Sequence, residues 1–323
     1  MIHSSKLARR IARLRAPALA GVLIVFGACD NANPLDPDTS APTDPAETGI
    51  EAAPIETPEF ATSFAGGIPM GLMAQPTSWF GSRYNGALRN IGPEGLRSEL
   101  AAIKARGGRV VLTFSGNERN YKDANGHFSL TKWKARVDRY KDINFSSYIS
   151  DGTIIGHWLV DEPQDPTNWN GTRISQSTLE EMAKYSKQRW PDMVTIVRTW
   201  PDYLDDWSGH YYYLDAAWAQ YVAKRFPNLS AFVSSNVSKA KAKGLGLVVG
   251  LMLTKGSPTG GRMSASQIKT YGAALLNNSY PCAFISYQYG DYVQSYLNSS
   301  SVKDAMSYLR RKAQNHGSKS CRG

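Results

Sequence analysis

Two adjacent carboxylates close an apolar run in the segment TIIGHWLVDEPQDP, residues 153–166, where Asp161 and Glu162 stand between LV and Pro163. A carboxyl group that keeps its proton near neutrality is a general acid. Once ionised, it is a base or a nucleophile. Side chains alternate across a strand, so Asp161 and Glu162 do not both point inward if the strand is regular. Pro163 favours an extended backbone at Glu162. Glu162 then projects over the mouth of a sheet while Asp161 anchors a neighbouring backbone group or an Arg. Were the two to converge, their repulsion would raise one pKa and hold a proton in place. The plainer reading is that DEP only ends a strand and opens a loop.

What positions these acids is a series of short apolar runs separated by amphipathic segments. Strands are predicted at 68–74, 109–116, 153–160, 194–200, 214–221, 245–253 and 283–289. Helices are predicted at 92–108, 129–143, 175–191, 265–278 and 301–317. The second has Leu130, Trp133, Val137 and Tyr140 at helical spacing, and the third opens like a capping box. Near-continuous Val, Ile and Leu in the strands means burial on both faces, as in a parallel sheet covered by helices. Some 260 residues of such pattern suit a (β/α)8 TIM barrel. With seven strands visible, the eighth is sought at 143–150 or 229–236, or the barrel is incomplete or irregular. A doubly wound open sheet is the second choice. It lacks support because TSWFGSRYNGALRNIG does not have the glycine spacing of a dinucleotide turn.

Barrel enzymes carry their reactive groups at the carboxyl ends of strands and in the loops that follow. That rule selects Glu118, Asp161, Glu162, Asp215 and Asp291 as acids, and Trp200, Trp218, Gln220, Tyr221, Tyr287 and Tyr289 as aromatic or amide neighbours. Flat aromatic faces stack on the CH-rich face of a sugar while polar neighbours meet its hydroxyls. Other chemistries find little. His157 reads as an interior or orienting residue, no HExxH or GxSxG arrangement occurs, and no spaced Cys/His cluster points to a metal. The loop TKGSPTGGR is neither a Walker loop nor a dinucleotide turn; it reads as a flexible barrel loop with Arg262 available to an anionic group.

The stretch HWLVDEP resembles the strand-end acid motif of glycoside-hydrolase-like TIM-barrel proteins, including bacterial secreted or lipoprotein barrels with a DEP sequence. The comparable signature of the large retaining clan is Asn-Glu-Pro, whose Glu is the acid/base. Carried over, that role falls to Glu162, and Asp161 replaces an Asn that contacts a sugar hydroxyl. As architecture the resemblance covers residues 64–312; as motif it covers a few residues. It implies cleavage of O-glycosidic bonds in a poly- or oligosaccharide, with Glu162 protonating the departing oxygen and no cofactor.

A second carboxylate is required, about 5–5.5 Å away for retention or about 6.5–9.5 Å for inversion. The family pattern places a Glu nucleophile near the end of the seventh strand. SYQYGD has none, which leaves Asp291 as the local acid, with Glu118 and Asp215 competing. Trp200, Trp218, Gln220, Tyr221, Tyr287 and Tyr289 would shape the sugar subsite. The alternative is a noncatalytic carbohydrate-binding or envelope-associated lipoprotein, for which one usable carboxylate suffices.

The ends of the chain differ from its middle. Residues 1–28 read as a lipoprotein-type signal peptide: Lys6, Arg9, Arg10, Arg13 and Arg15 precede the apolar PALAGVLIVFGA, and FGAC resembles a lipobox with Cys29 as the lipidated residue. Plain secretion and an uncleaved anchor are the other outcomes, and each places the domain outside the cytoplasm. Residues 29–60, rich in Pro, Asp, Glu and Thr, read as a disordered acidic tether, and residues 61–323 as the barrel domain. With Cys29 acylated, Cys282 and Cys321 remain as a possible disulfide pair in an oxidising compartment. The chain carries 37 basic and 27 acidic residues, a net +10. Removing the five basic residues of the signal and the eight acids of the tether leaves 32 against 19, or +13, for the domain. That excess favours an acidic polymer or an anionic surface. No nucleic-acid-binding module accompanies it. The expected partners are a poly- or oligosaccharide, acidic or neutral, and the membrane through the lipid anchor, with the protein a monomer.

Overall fold

The computed structural model describes residues 67–322, within which eight parallel strands close into a barrel in chain order. They are β1 Met70–Met73, β2 Gly86–Asn90, β3 Arg109–Thr113, β4 Ile154–Asp161, β5 Thr195–Arg198, β6 Ala216–Tyr221, β7 Gly246–Leu251 and β8 Ala283–Ser286. β1 pairs with β2 on one side and with β8 on the other, which completes the ring. The fold is the (β/α)8 TIM barrel that the strand pattern predicted, and its ring of eight strands is complete.

The strand missing from the sequence reading is β2. It lies in neither predicted place: Ser146–Ser150 is a short helix, and Leu229–Ala242 is a long one. β2 (GALRN) escapes notice because it has only two apolar side chains and begins at a glycine. That glycine has a packing reason. A Cβ on Gly86 would sit 2.8 Å from the Met70 nitrogen, and one on Gly71 would sit 1.8 Å from the Gly86 oxygen. β1 and β2 approach too closely for side chains there.

The helices are α1 Leu96–Ala105, α2 Leu130–Val137, α3 Ser146–Ser150, α4 Gln176–Arg189, α5 Pro201–Asp205, α6 Leu229–Ala242, α7 Ala265–Leu276, α8 Gln294–Asn298 and α9 Ser300–Gln314. Ser129 and Ser175 cap α2 and α4 by accepting from the third helical amide, at 3.3 and 3.1 Å. The reciprocal capping box belongs to α7, where Ser264 and Gln267 each bond the other's backbone.

Two apolar layers result. The outer one packs strands on helices and takes in Ala217, Ala219 and Tyr221 of β6. The inner one fills the barrel with Leu88, Val111, Ile196, Trp218, Val248 and Ile285. His157 faces the outer layer, fully buried, with Nδ1 2.8 Å from the Ser186 hydroxyl and its ring against Phe114 and Trp133. Cys282 and Cys321 are joined in a disulfide with Cα atoms 5.1 Å apart, fixing the C-terminal tail to the start of β8. The signal at 1–28, the tether at 29–60 and Cys29 lie outside the described residues. Among the described residues no helix is long and apolar enough to cross a membrane.

Candidate active site

A cavity of about 710 Å³ opens at the carboxyl ends of the strands. Glu118 reaches it from the loop after β3, Asp161 and Glu162 from the end of β4, and Arg198 from the end of β5. Val222 follows β6, Met252, Thr254, Lys255 and Arg262 follow β7, and Tyr287 and Tyr292 follow β8.

Asp161 and Glu162 both reach this cavity because β4 is irregular. Between Trp158 and Asp161 it advances three residues while β5 advances two, from Ile196 to Arg198. One extra residue is a bulge, and it breaks strict alternation. Glu162 then takes φ 38°, a left-handed value that is costly for a side-chain-bearing residue and more so before proline. The extended backbone expected at Glu162 is therefore corrected. Three hydrogen bonds hold the unusual geometry: the Glu162 amide donates to the Arg198 carbonyl at 3.0 Å, and the Glu162 carbonyl accepts from the Asp165 amide at 3.0 Å and the Trp169 indole at 3.4 Å. Strain of this kind, locked in by its surroundings, gathers at functional sites.

Arg198 organises the charges. It is 5% exposed, and its guanidinium grips Asp161 through two nitrogens, Nη2 lying 2.7 Å from Oδ2. The same Nη2 stands 3.6 Å from Glu162 Oε1. Asp161 thus has the anchoring part foreseen for it, toward an Arg. Burial raises the Glu162 pKa, the Arg198 charge opposes the rise, and Asp161 adds to it.

Glu118 sits on a 3-10 turn, Glu118–Tyr121, whose Arg119 amide is capped by the Asn117 side chain. It has no arginine contact; Lys122 is 3.8 Å away. Burial first, then the charge of Asp161, push its pKa up to about 6, with Glu162 adding to the rise. Lys122 and, more weakly, Arg198 oppose the rise at Glu118, while at Glu162 the Arg198 guanidinium stands within ion-pair range.

The other candidates are distributed differently. Asp215 precedes β6 and lies at the amino end of the barrel, ion-paired to Lys187 at 2.7 Å and accepting from the Thr195 amide at 2.8 Å. The structure does not bring it to Glu162, because Asp215 lies just before the first residue of β6, Ala216, and so at the end of the barrel opposite the cavity. Asp291 is exposed, bonds Gln294 at 2.9 Å and is not part of the cavity lining. Trp218 and Gln220 point into the barrel interior, at 0% and 3% exposure. Tyr221 points the other way, its hydroxyl donating to Phe226 and its ring against Phe232 and Tyr271. None of these three is placed as a sugar-contacting wall: alternation along a fully covered strand buries both faces. Trp200 is half-buried, donates to the Gln220 carbonyl at 3.1 Å and has Arg225 stacked 4.1 Å from its ring. Tyr289 packs edge-on against Trp79, centroids 4.7 Å apart. Of the six neighbours, Tyr287 alone lines the cavity.

Sequence reasoning missed Arg198, Lys255 and Tyr292. Arg198 had a signal, a cation ending the apolar run VTIVR. Tyr292, 57% exposed at the cavity, had none beyond its type. A smaller cavity of about 330 Å³ lies at the opposite end among Arg109, Ile154, Val194, Cys282 and Cys321; Asp192 is the only acid in its lining. Among the described residues no group of three or more His, Cys, Asp or Glu is set to hold a metal ion.

No protein-family model matches the chain, and no curated protein matches it in sequence. Solved structures do match in fold. The cellulose synthase subunit Z (CcsZ) of Clostridioides difficile is 12% identical, with 75% of this chain and 99% of that chain covered and a TM-score of 0.53. Saccharomyces cerevisiae Gas2p, seen in complex with laminaritetraose and laminaripentaose, is 11% identical over 81% of this chain and 66% of that one, with a TM-score of 0.51. The exo-β-1,4-mannosidase Op5Man5 of an Opitutaceae bacterium, strain TAV5, is 12% identical over 77% and 60%, also at 0.51. Likeness at these identities speaks for the fold alone, and the fold shared with them is the (β/α)8 TIM barrel.

Proposed function

We propose that the protein hydrolyses an O-glycosidic bond of a poly- or oligosaccharide at the cavity shared by Glu118 and Glu162. The observation that carries this reading is the pairing itself: two carboxyl groups from adjacent strand ends face one sugar-sized opening, and burial raises the pKa of both, opposed at Glu162 first of all by the Arg198 guanidinium. A carboxyl whose pKa is raised toward neutrality keeps a proton to donate. Glu118, pushed up to about 6 chiefly by burial and the charge of Asp161, is suited to protonate the departing oxygen. Glu162, whose rise from burial is opposed by the Arg198 guanidinium 3.6 Å away, takes the ionised part, as the base or nucleophile. This exchanges the donor role that the Asn-Glu-Pro resemblance gave to Glu162. After the true seventh strand, β7, the chain reads MLTKGSP, with no carboxylate where the retaining clan carries its nucleophile. The exchange therefore fits the residues present. Two of the fold neighbours, an oligosaccharide-bound yeast protein and a mannosidase, agree with a carbohydrate as the partner.

The test is release of reducing ends from a panel of glycans by the wild type, Glu118→Gln and Glu162→Gln. Each substitution should lower kcat by about 10²–10⁴-fold while the protein stays folded. The donor must be protonated, so the wild-type rate should fall as pH rises through about 6. It should also fall at low pH as Glu162 takes up a proton. Equal release by the wild type and both variants would reject the proposal, and would leave the noncatalytic carbohydrate-binding reading.

A further inference from the structure

The cavity is charged unevenly. Its carboxylates, Glu118, Asp161 and Glu162, all come from the ends of β3 and β4. Facing them, the loops after β6 and β7, residues 222–228 and 252–263, hold Lys224, Arg225, Lys255 and Arg262 and not one Asp or Glu. Arg225 is occupied in stacking on Trp200 at 4.1 Å. Arg262 donates to the Tyr292 carbonyl at 2.9 Å, which orients its guanidinium without neutralising it. Lys255 is exposed and has no ion pair or hydrogen bond among the described residues. Lys255 and Arg262 both line the cavity, with the Thr254 hydroxyl between β7 and Lys255.

Deepening the hydrolase reading, on which this rests, we propose that the substrate is an anionic glycan, bearing a carboxylate or sulfate ester on its sugars. The anionic group is held against Lys255 and Arg262. A neutral sugar gives these cations nothing to neutralise, and unneutralised like charges repel one another. An anionic sugar has the opposite difficulty at the carboxylate wall. The segregation resolves both and sets an orientation: the anionic group toward the β7 loop, the glycosidic oxygen toward Glu118 and Glu162. A guanidinium also matches the planar, two-oxygen geometry of a carboxylate or sulfate. Tyr287 and Tyr292 on the same side offer ring faces to the sugar.

The experiment is calorimetric binding to Glu162→Gln protein, which keeps the ligand uncut. The ligands are an oligogalacturonate tetramer, a sulfated galactan tetrasaccharide and a neutral glucan tetraose. At low salt at least one anionic ligand should bind about tenfold more tightly than the neutral one, with the preference shrinking as salt is added. Adding Lys255→Met and Arg262→Gln should bring the ratio near one. The galacturonate and sulfate arms show which anionic group the site takes. The proposal is overturned if the neutral ligand binds as tightly as both anionic ones, if the preference survives the double substitution, or if none of the three binds. Hydrolysis unaffected by Glu118→Gln and Glu162→Gln, with the anionic preference intact, would instead sink the hydrolase reading and leave this one standing.

Discussion

Arg198 carries more of the site than either acid alone. It is almost fully buried between Asp161 and Glu162 and holds both. Removing one member of a buried ion pair leaves an unpaired charge and costs about 3–5 kcal/mol. Arg198→Met should therefore lower stability by that order, read as a shift in the denaturant midpoint. It should also free Glu162 to titrate higher, since the opposing guanidinium is gone. Arg198→Asp161 pairing had no prediction by number in the sequence; DEP suggested only that Asp161 would find some Arg or backbone group. The place of Asp161 and Glu162 at the end of β4 was legible, because the apolar run before them marks the strand and Pro163 marks its stop. What could not be read was the bulge before Asp161, since a one-residue slip depends on how β4 meets β5 rather than on either strand by itself. The same holds for the left-handed backbone at Glu162: Pro163 argues locally against it, and contacts from Arg198, Asp165 and Trp169 override the local preference.

Among the elements, strands with long apolar runs were legible and the one set by glycine was not. β7 announces itself as GLVVGL, whereas β2 depends on backbone proximity that composition hides. Gly71→Ala tests that account. Its new Cβ would meet the Gly86 oxygen at 1.8 Å, and the partner is backbone, so the β1–β2 pair must separate. Loss of several kcal/mol, on the order of 3 or more, is expected from such overpacking, measured as a fall in Tm. An unchanged Tm would mean the strands are not so close. α6 was missed for another reason. Its Phe232, Asn236, Val237 and Ala240 do recur at helical spacing, yet Ser and Asn between them lower helix propensity and invite a strand reading. Aromatic residues misled by type: Trp218 and Tyr221 lie on a strand whose two faces are both covered, so neither could be a wall of the cleft.

Taken as one body, residues 67–322 put the acid-lined cavity at one end of the barrel and a covalent closure at the other. The Cys282–Cys321 bond closes a separation of 39 residues. By loop entropy it should contribute about 4 kcal/mol. The double variant Cys282→Ser, Cys321→Ser should unfold at correspondingly lower denaturant while its cavity, at the far end, keeps its acids in place. Such a bond suits the extracytoplasmic setting proposed from the signal and from Cys29. The barrel in this account serves to hold two carboxyl groups at one opening, with the Glu118 pKa raised partly by the charge of Glu162, and that can be observed on the intact protein. Titration of the glutamate side-chain carbons by 13C NMR, with Glu118→Gln and Glu162→Gln used for assignment, should show Glu118 releasing its proton near pH 6. In the Glu162→Gln protein that value should move down, because a neighbouring negative charge has been removed. A Glu118 titrating at the ordinary 4.5, and indifferent to Glu162, would show that the pair does not exist as described.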